Sequence, residues 1–125
     1  SLHADPEWEY PLFWGRADET GAGAGHGFTV NLPLPPGTGD DTYLEALRVG
    51  LDAIADFDPA ALVVSTGFDG YGGDPLGQFE LTPDGYRRIG EAIDELGRPT
   101  VVVQEGGYSM EGLRACAPAL LGPFR

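Results

Sequence analysis

Ala61-Leu62-Val63-Val64-Ser65 is a continuous apolar run, closed by Pro59 on one side and Gly67 on the other. Strands covered on both faces of a parallel sheet read this way. Thr100-Val101-Val102-Val103 has the same character. Between the two runs, Thr82 reads as a helix N-cap and Pro83 as the first helical residue. Tyr86, Ile89, Ile93 and Leu96 then fall on one face and Gly97 is the stop. Upstream, Thr42 and Glu45 have the spacing of a T-x-x-E capping box. Leu44, Leu47, Leu51 and Ile54 extend that helix to about Asp56. Residues 27–34 (GFTVNLPL) have alternate apolar positions and end at Pro33 and Pro35, which predicts a further strand whose polar Asn31 satisfies loop backbone. After Glu105-Gly106-Gly107-Tyr108, Ser109 is positioned to cap a last helix through Leu113, Cys116, Ala117 and Leu120. Strand and helix thus alternate three times. This predicts an α/β fold, an open parallel sheet with right-handed crossovers whose ligands lie beyond the carboxyl ends of the strands.

Composition narrows the possibilities. The chain has 125 residues, short for a complete α/β enzyme, so a partial domain is expected. Its first residues read as a strand already under way; neither a signal peptide nor a transmembrane run is seen. Seven basic residues against twenty acidic ones give a net charge of -13. Nucleic acid and anionic membranes would be repelled, and a cationic partner fits better, although acidity also serves solubility. The single cysteine, Cys116, excludes an internal disulfide and a Cys-rich zinc site and reads as a small buried hydrophobe.

The 20 glycines and 11 prolines concentrate in residues 6–39 and 67–83, which marks long loops of the kind that carry function. Gly21, Gly23, Gly25 and Gly27 do not form a dinucleotide fingerprint, because the spacing is G-x-G-x-G-x-G and a strand follows. Walker and G-x-S-x-G patterns are absent. Asp69, in the glycine-rich turn after the first apolar run, is aimed either into a cleft or at loop backbone. Asp74 before Pro75 reads as a turn element. Tyr108 follows two glycines at the next strand end, where it is either a ligand-facing phenol or a buried, satisfied tyrosine. Asp69 and Tyr108 at the ends of consecutive strands would face one crevice.

The blocks SLHADPEWEYPLFWGRADETGAGAGHGF, STGFDGYGGDPLGQFELT and VVVQEGGY, in that order, strongly resemble the histone deacetylase and acetylpolyamine amidohydrolase family. The S-L-H-x-D-P opening resembles the acetylpolyamine and bacterial class II branch more than class I. The resemblance covers nearly the whole chain. It implies a three-layer open parallel sheet flanked by helices, of the arginase/deacetylase type, with residues 1–125 as the C-terminal portion of a single deacetylase catalytic domain. It implies zinc-dependent hydrolysis of an acetyl-amide, with Asp69 as one zinc ligand and Tyr108 stabilising the oxyanion. It further implies Tyr10 and Gly107 along the acyl-lysine tunnel, and Ser1 and Leu2 at a structural potassium ion. His3 falls on a family histidine that is not a zinc ligand. The Asp-x-His pair and tandem histidines of the family have no counterpart among these residues, so the chain alone is expected to be inactive. The expected partner is a small cationic acetylated amine or acetyl-lysine, with no nucleic acid and no membrane; a homo-oligomer is compatible, and the expected location is cytoplasmic. The alternatives are a non-catalytic interaction module and an arginase-like manganese hydrolase, the latter disfavoured by E-G-G-Y.

Overall fold

Among the described residues, four strands and three α-helices follow one another as β1 (Leu2–Ala4), β2 (Leu32–Leu34), α1 (Asp40–Phe57), β3 (Leu62–Thr66), α2 (Pro83–Asp94), β4 (Thr100–Gln104) and α3 (Met110–Leu121). The structure, a computed structural model, describes residues 1–10 and 12–124. All strand pairing within sheets is parallel: β1 with β2, Leu2 opposite Leu32, and β3 with β4, Leu62 opposite Thr100 and Thr66 opposite Gln104. The expected α/β architecture is therefore present. Among the described residues the strands pair as two parallel two-stranded sheets, β1 with β2 and β3 with β4.

Each helix end has a chemical cause. At α2 the Thr82 side chain accepts the Gly85 N–H at 3.1 Å and Pro83 occupies the first turn, as its fixed φ favours. At α3 Ser109 accepts the Gly112 N–H at 3.0 Å. The chain leaves α2 through Gly97 at φ +62°. The capping box expected at Thr42 does not form. The α1 helix begins at Asp40 with Gly39 as a cap that makes no side-chain bond. Asp40 instead bonds the distant Thr82, accepting its N–H at 2.9 Å and its hydroxyl at 2.6 Å, and the N-cap lies three residues earlier, at Gly39.

Two strand expectations are also corrected. Residues 27–31 lie outside β2, which is only as long as its three-residue partner β1. Asn31 serves backbone as expected, donating to the carbonyls of Arg16 at 3.1 Å and Glu19 at 3.3 Å. Nor are β3 and β4 covered on both faces. Leu62, Val64 and Val102 face the core, whereas Val63, Val101 and Val103 are 76%, 61% and 42% exposed. The pleat alternates the side chains, and the core lies on one side of this sheet only.

That core joins Leu44 and Leu47 of α1, Leu62 of β3, Tyr86, Ile89 and Ile93 of α2, and Cys116 and Leu120 of α3, closed by Phe68 and Leu81 from the loops. Cys116 is fully buried, as its surroundings in sequence suggested. The α2 and α3 helices approach closely at Gly90, where an added Cβ would lie 2.1 Å from the Leu120 carbonyl oxygen.

Candidate functional site

The ladder of β3 and β4 continues past the strands into the loops that carry Asp69 and Tyr108. Glu105 N–H donates to the Thr66 carbonyl at 2.9 Å, and Phe68 N–H donates to the Gly106 carbonyl at 2.9 Å. Phe68 is buried against Tyr86, with ring centroids 5.3 Å apart, and the Tyr86 hydroxyl donates to the Gly67 carbonyl at 3.2 Å. A buried phenol needs such a partner. Here it pins the turn that precedes Asp69.

Glycine on either side makes room for the Asp69 carboxylate. A Cβ at Gly67 would lie 2.5 Å from Oδ1, and one at Gly106 would lie 2.2 Å from Oδ2. Both glycines have φ outside the left-handed region, so space rather than backbone angle is what demands them. Gly107 differs: its φ is +130°, and a Cβ there would also meet Phe68 Cβ at 2.9 Å. The Gly-Gly of E-G-G-Y thus has two separate physical reasons. Burial pushes the Asp69 carboxyl above the ordinary carboxylate range, and the nearby negative Asp74 adds to the rise; N–H groups of Asp69 itself and Gly70 oppose it. Such a carboxylate favours a cation beside it.

Tyr108, 58% exposed, makes no side-chain hydrogen bond among the described residues, so its hydroxyl is free to donate. Its backbone is held firmly. Asp74 Oδ2 accepts the N–H groups of Tyr108 at 2.7 Å and Ser109 at 2.9 Å, while Oδ1 accepts those of Leu76 at 3.0 Å and Gly77 at 3.4 Å. Burial pushes the Asp74 carboxyl up, but these donors outweigh it and hold the group below its usual range. The turn role expected of Asp74 is therefore only half of what it does. The other half spans 34 and 35 residues of sequence, and its one local sign is a carboxylate on the loop facing the N-terminus of α3.

The other candidate residues are more loosely placed. Tyr10 is 83% exposed. Its neighbour Glu9 was not singled out from sequence, yet its carboxyl is pushed upward by burial and by the charge of Asp69, against a lowering bond from Gln78 backbone. The segment around residue 9 therefore lies near the Asp69 loop, and Gln78 Nε2 reaches the Trp8 carbonyl at 3.5 Å. Ser1 has partners already: its hydroxyl pairs with His3 Nδ1 at 2.9 Å and its carbonyl accepts Leu32 N–H at 2.9 Å. Leu2 packs against the core. His3 Nε2 lies 2.8 Å from the Gly15 carbonyl oxygen, and His26 lies against Thr20. Among the described residues no three His, Cys, Asp or Glu side chains gather as a metal would require. Asp69 is a single carboxylate here, and a catalytic zinc needs about three protein ligands.

Comparison with known proteins identifies the family. The family model for the histone deacetylase domain matches residues 1–123. An acetylpolyamine amidohydrolase of Burkholderia pseudomallei is 46% identical over 124 residues, covering 99% of this chain and 36% of the relative. Acetylpolyamine amidohydrolase 1 of Pseudomonas aeruginosa is 48% identical over 113 residues, covering 90% of this chain and 33% of the relative. A crystal structure of acetylpolyamine aminohydrolase from Burkholderia pseudomallei superposes with a TM-score of 0.95 at 46% identity, over 99% of this chain and 36% of that one. The chain thus spans about a third of the length of these relatives. With a family match over almost its whole length and the Asp69 and Tyr108 loops joined at the strand ends, the chain belongs to the histone deacetylase domain family.

Proposed function

We propose that residues 1–125 are the C-terminal portion of a single deacetylase catalytic domain. The intact domain hydrolyses the acetyl-amide of a small cationic amine, an acetylpolyamine or acetyl-lysine, to acetate and the free amine. The observation that carries this reading is the Asp69 carboxylate held between Gly67 and Gly106, on a loop laced to the one that bears Tyr108. Asp69 would hold zinc together with ligands from outside these residues. Zinc, when bound, supplies Lewis-acid polarisation of the amide carbonyl and of water.

The Tyr108 hydroxyl, free of partners in the described residues, donates a hydrogen bond to the oxygen on which negative charge develops. Tyr10 and Gly107 would line the path of the acyl chain, and the Ser1 and Leu2 carbonyls with the Ser1 hydroxyl would help hold a potassium ion. The charge of -13 attracts a polyamine. The proposed location is cytoplasmic; no helix among the described residues is long and apolar enough to cross a membrane.

The test is acetate release by the full-length protein from an acetylated diamine and from an acetyl-lysine peptide. Release should stop after chelation and return with zinc. No acetate from either substrate, with zinc restored, refutes the reading.

A further inference from the structure

One carboxylate touches both halves of the candidate site without belonging to either. Asp74 Oδ2 accepts the N–H groups of Tyr108 and Ser109, and Oδ1 accepts those of Leu76 and Gly77. Gly77 in turn lies against the Asp69 backbone so closely that a Cβ there would be 1.8 Å from the Asp69 carbonyl oxygen. Beside the backbone ladder at the strand ends, a second path from Asp69 to Tyr108 therefore runs through one side chain that accepts all four of these bonds. We propose that Asp74 is a positioning residue, setting where the Tyr108 hydroxyl stands relative to the Asp69 carboxylate. This rests on the functional reading above.

Three further contacts make the link directional. Asp74 N–H donates to the Tyr71 carbonyl at 2.8 Å, which fixes the origin of the carboxylate. The Tyr71 ring lies between the loop and α3, where a Cβ at Gly73 would approach it to 2.7 Å and one at Gly112 to 2.6 Å. Ser109, whose N–H Asp74 holds, caps α3 with its own hydroxyl. The carboxylate thus docks the first turn of α3 onto the Asp69 loop, and Tyr108 is the residue at the joint. One charged oxygen that accepts two adjacent N–H groups holds them more firmly than one neutral bond does. A phenol displaced by about 1 Å loses on the order of 10²-fold in rate.

The experiment uses the full-length zinc-loaded protein with Asp74→Asn and Asp74→Glu, measuring kcat and KM on an acetylated diamine, bound zinc, and amide hydrogen exchange around residues 106–110. For Asp74→Asn, kcat should fall about 10²-fold with KM and zinc content unchanged, and the Tyr108 and Ser109 amides should exchange faster while the core stays protected. Unchanged kcat, or a loss of kcat in the folded variant that merely follows loss of zinc, overturns the proposal. Asp74→Glu keeps the charge and is the variant to read if the amide does not fold; normal kcat with a carboxylate one methylene longer overturns it too. If the wild-type protein releases no acetate, the functional reading fails, and exchange that stays unchanged in both variants then refutes the link itself.

Discussion

Gly106→Ala offers the sharpest test of the carboxylate cradle, because it adds one methyl group at a backbone position that tolerates it. Gly106 is not in the left-handed region, so alanine carries no conformational penalty of the kind Gly107 would suffer. The added Cβ would lie 2.2 Å from Asp69 Oδ2 and 2.8 Å from its Cγ, whereas ordinary contact begins at 3.4 Å. The carboxylate must therefore retreat by roughly 1 Å, a displacement that costs a well-oriented site on the order of 10²-fold. Overpacking at a half-buried loop costs about 1–3 kcal/mol at most, so the protein should remain folded. In the full-length protein we expect zinc affinity and kcat/KM to fall together by about 10²-fold, with circular dichroism unchanged. Gly25→Ala is the matched control, since nothing lies within 4 Å of a Cβ there and its φ is permissive. Wild-type zinc affinity and turnover in Gly106→Ala would refute the claim that the Asp69 carboxylate works from between the two glycines.

Other perturbations separate chemistry from stability. Tyr108→Phe in the full-length protein should lower kcat by about 10²-fold or more, as removal of one oxyanion donor does, with zinc content unchanged by metal analysis. The isolated 125-residue chain should release no acetate with added zinc, because Asp69 alone is too few ligands; turnover there would contradict the partial-domain reading. Thr82→Ala removes the α2 cap and the hydroxyl bond to Asp40, and should cost about 1–2 kcal/mol in urea unfolding. Asp74 should make stability depend on acidity: its folded-state carboxyl titrates below the unfolded value of about 4, so its contribution is present above that pH and disappears as pH falls through the lower, folded value. The stability gap between wild type and Asp74→Asn, measured by urea unfolding at neutral and acid pH, should therefore be wide at pH 7 and narrow in acid.

What could be read from sequence was what local chemistry decides. Thr82-Pro83 and Ser109 cap their helices as expected, and Leu62-Val63-Val64 and Val101-Val102-Val103 are strands. The misjudged elements are those settled at a distance. Thr42 has the right neighbours for a cap, but Asp40 finds Thr82 across 42 residues and the helix starts there. The burial of β3 and β4 was inferred from apolarity on both sides of each strand, yet only one side meets helices in this chain. In the site, the placing of Asp69 and Tyr108 at strand ends followed from the alternation of elements. The demand for glycine at 67 and 106, and the second task of Asp74, depend on backbone that sequence brings near only after folding.

The uncovered valines of β3 and β4 bear on how the chain behaves at high concentration. Val63, Val101 and Val103 make a water-facing apolar row on a two-stranded sheet, a surface that favours self-association. The charge of -13 works against it, since each copy repels the next over a range set by the electrolyte. That range is about 10 Å at 0.1 M salt and about 3 Å at 1 M. For the isolated 125-residue chain, light scattering should therefore rise with ionic strength rather than fall.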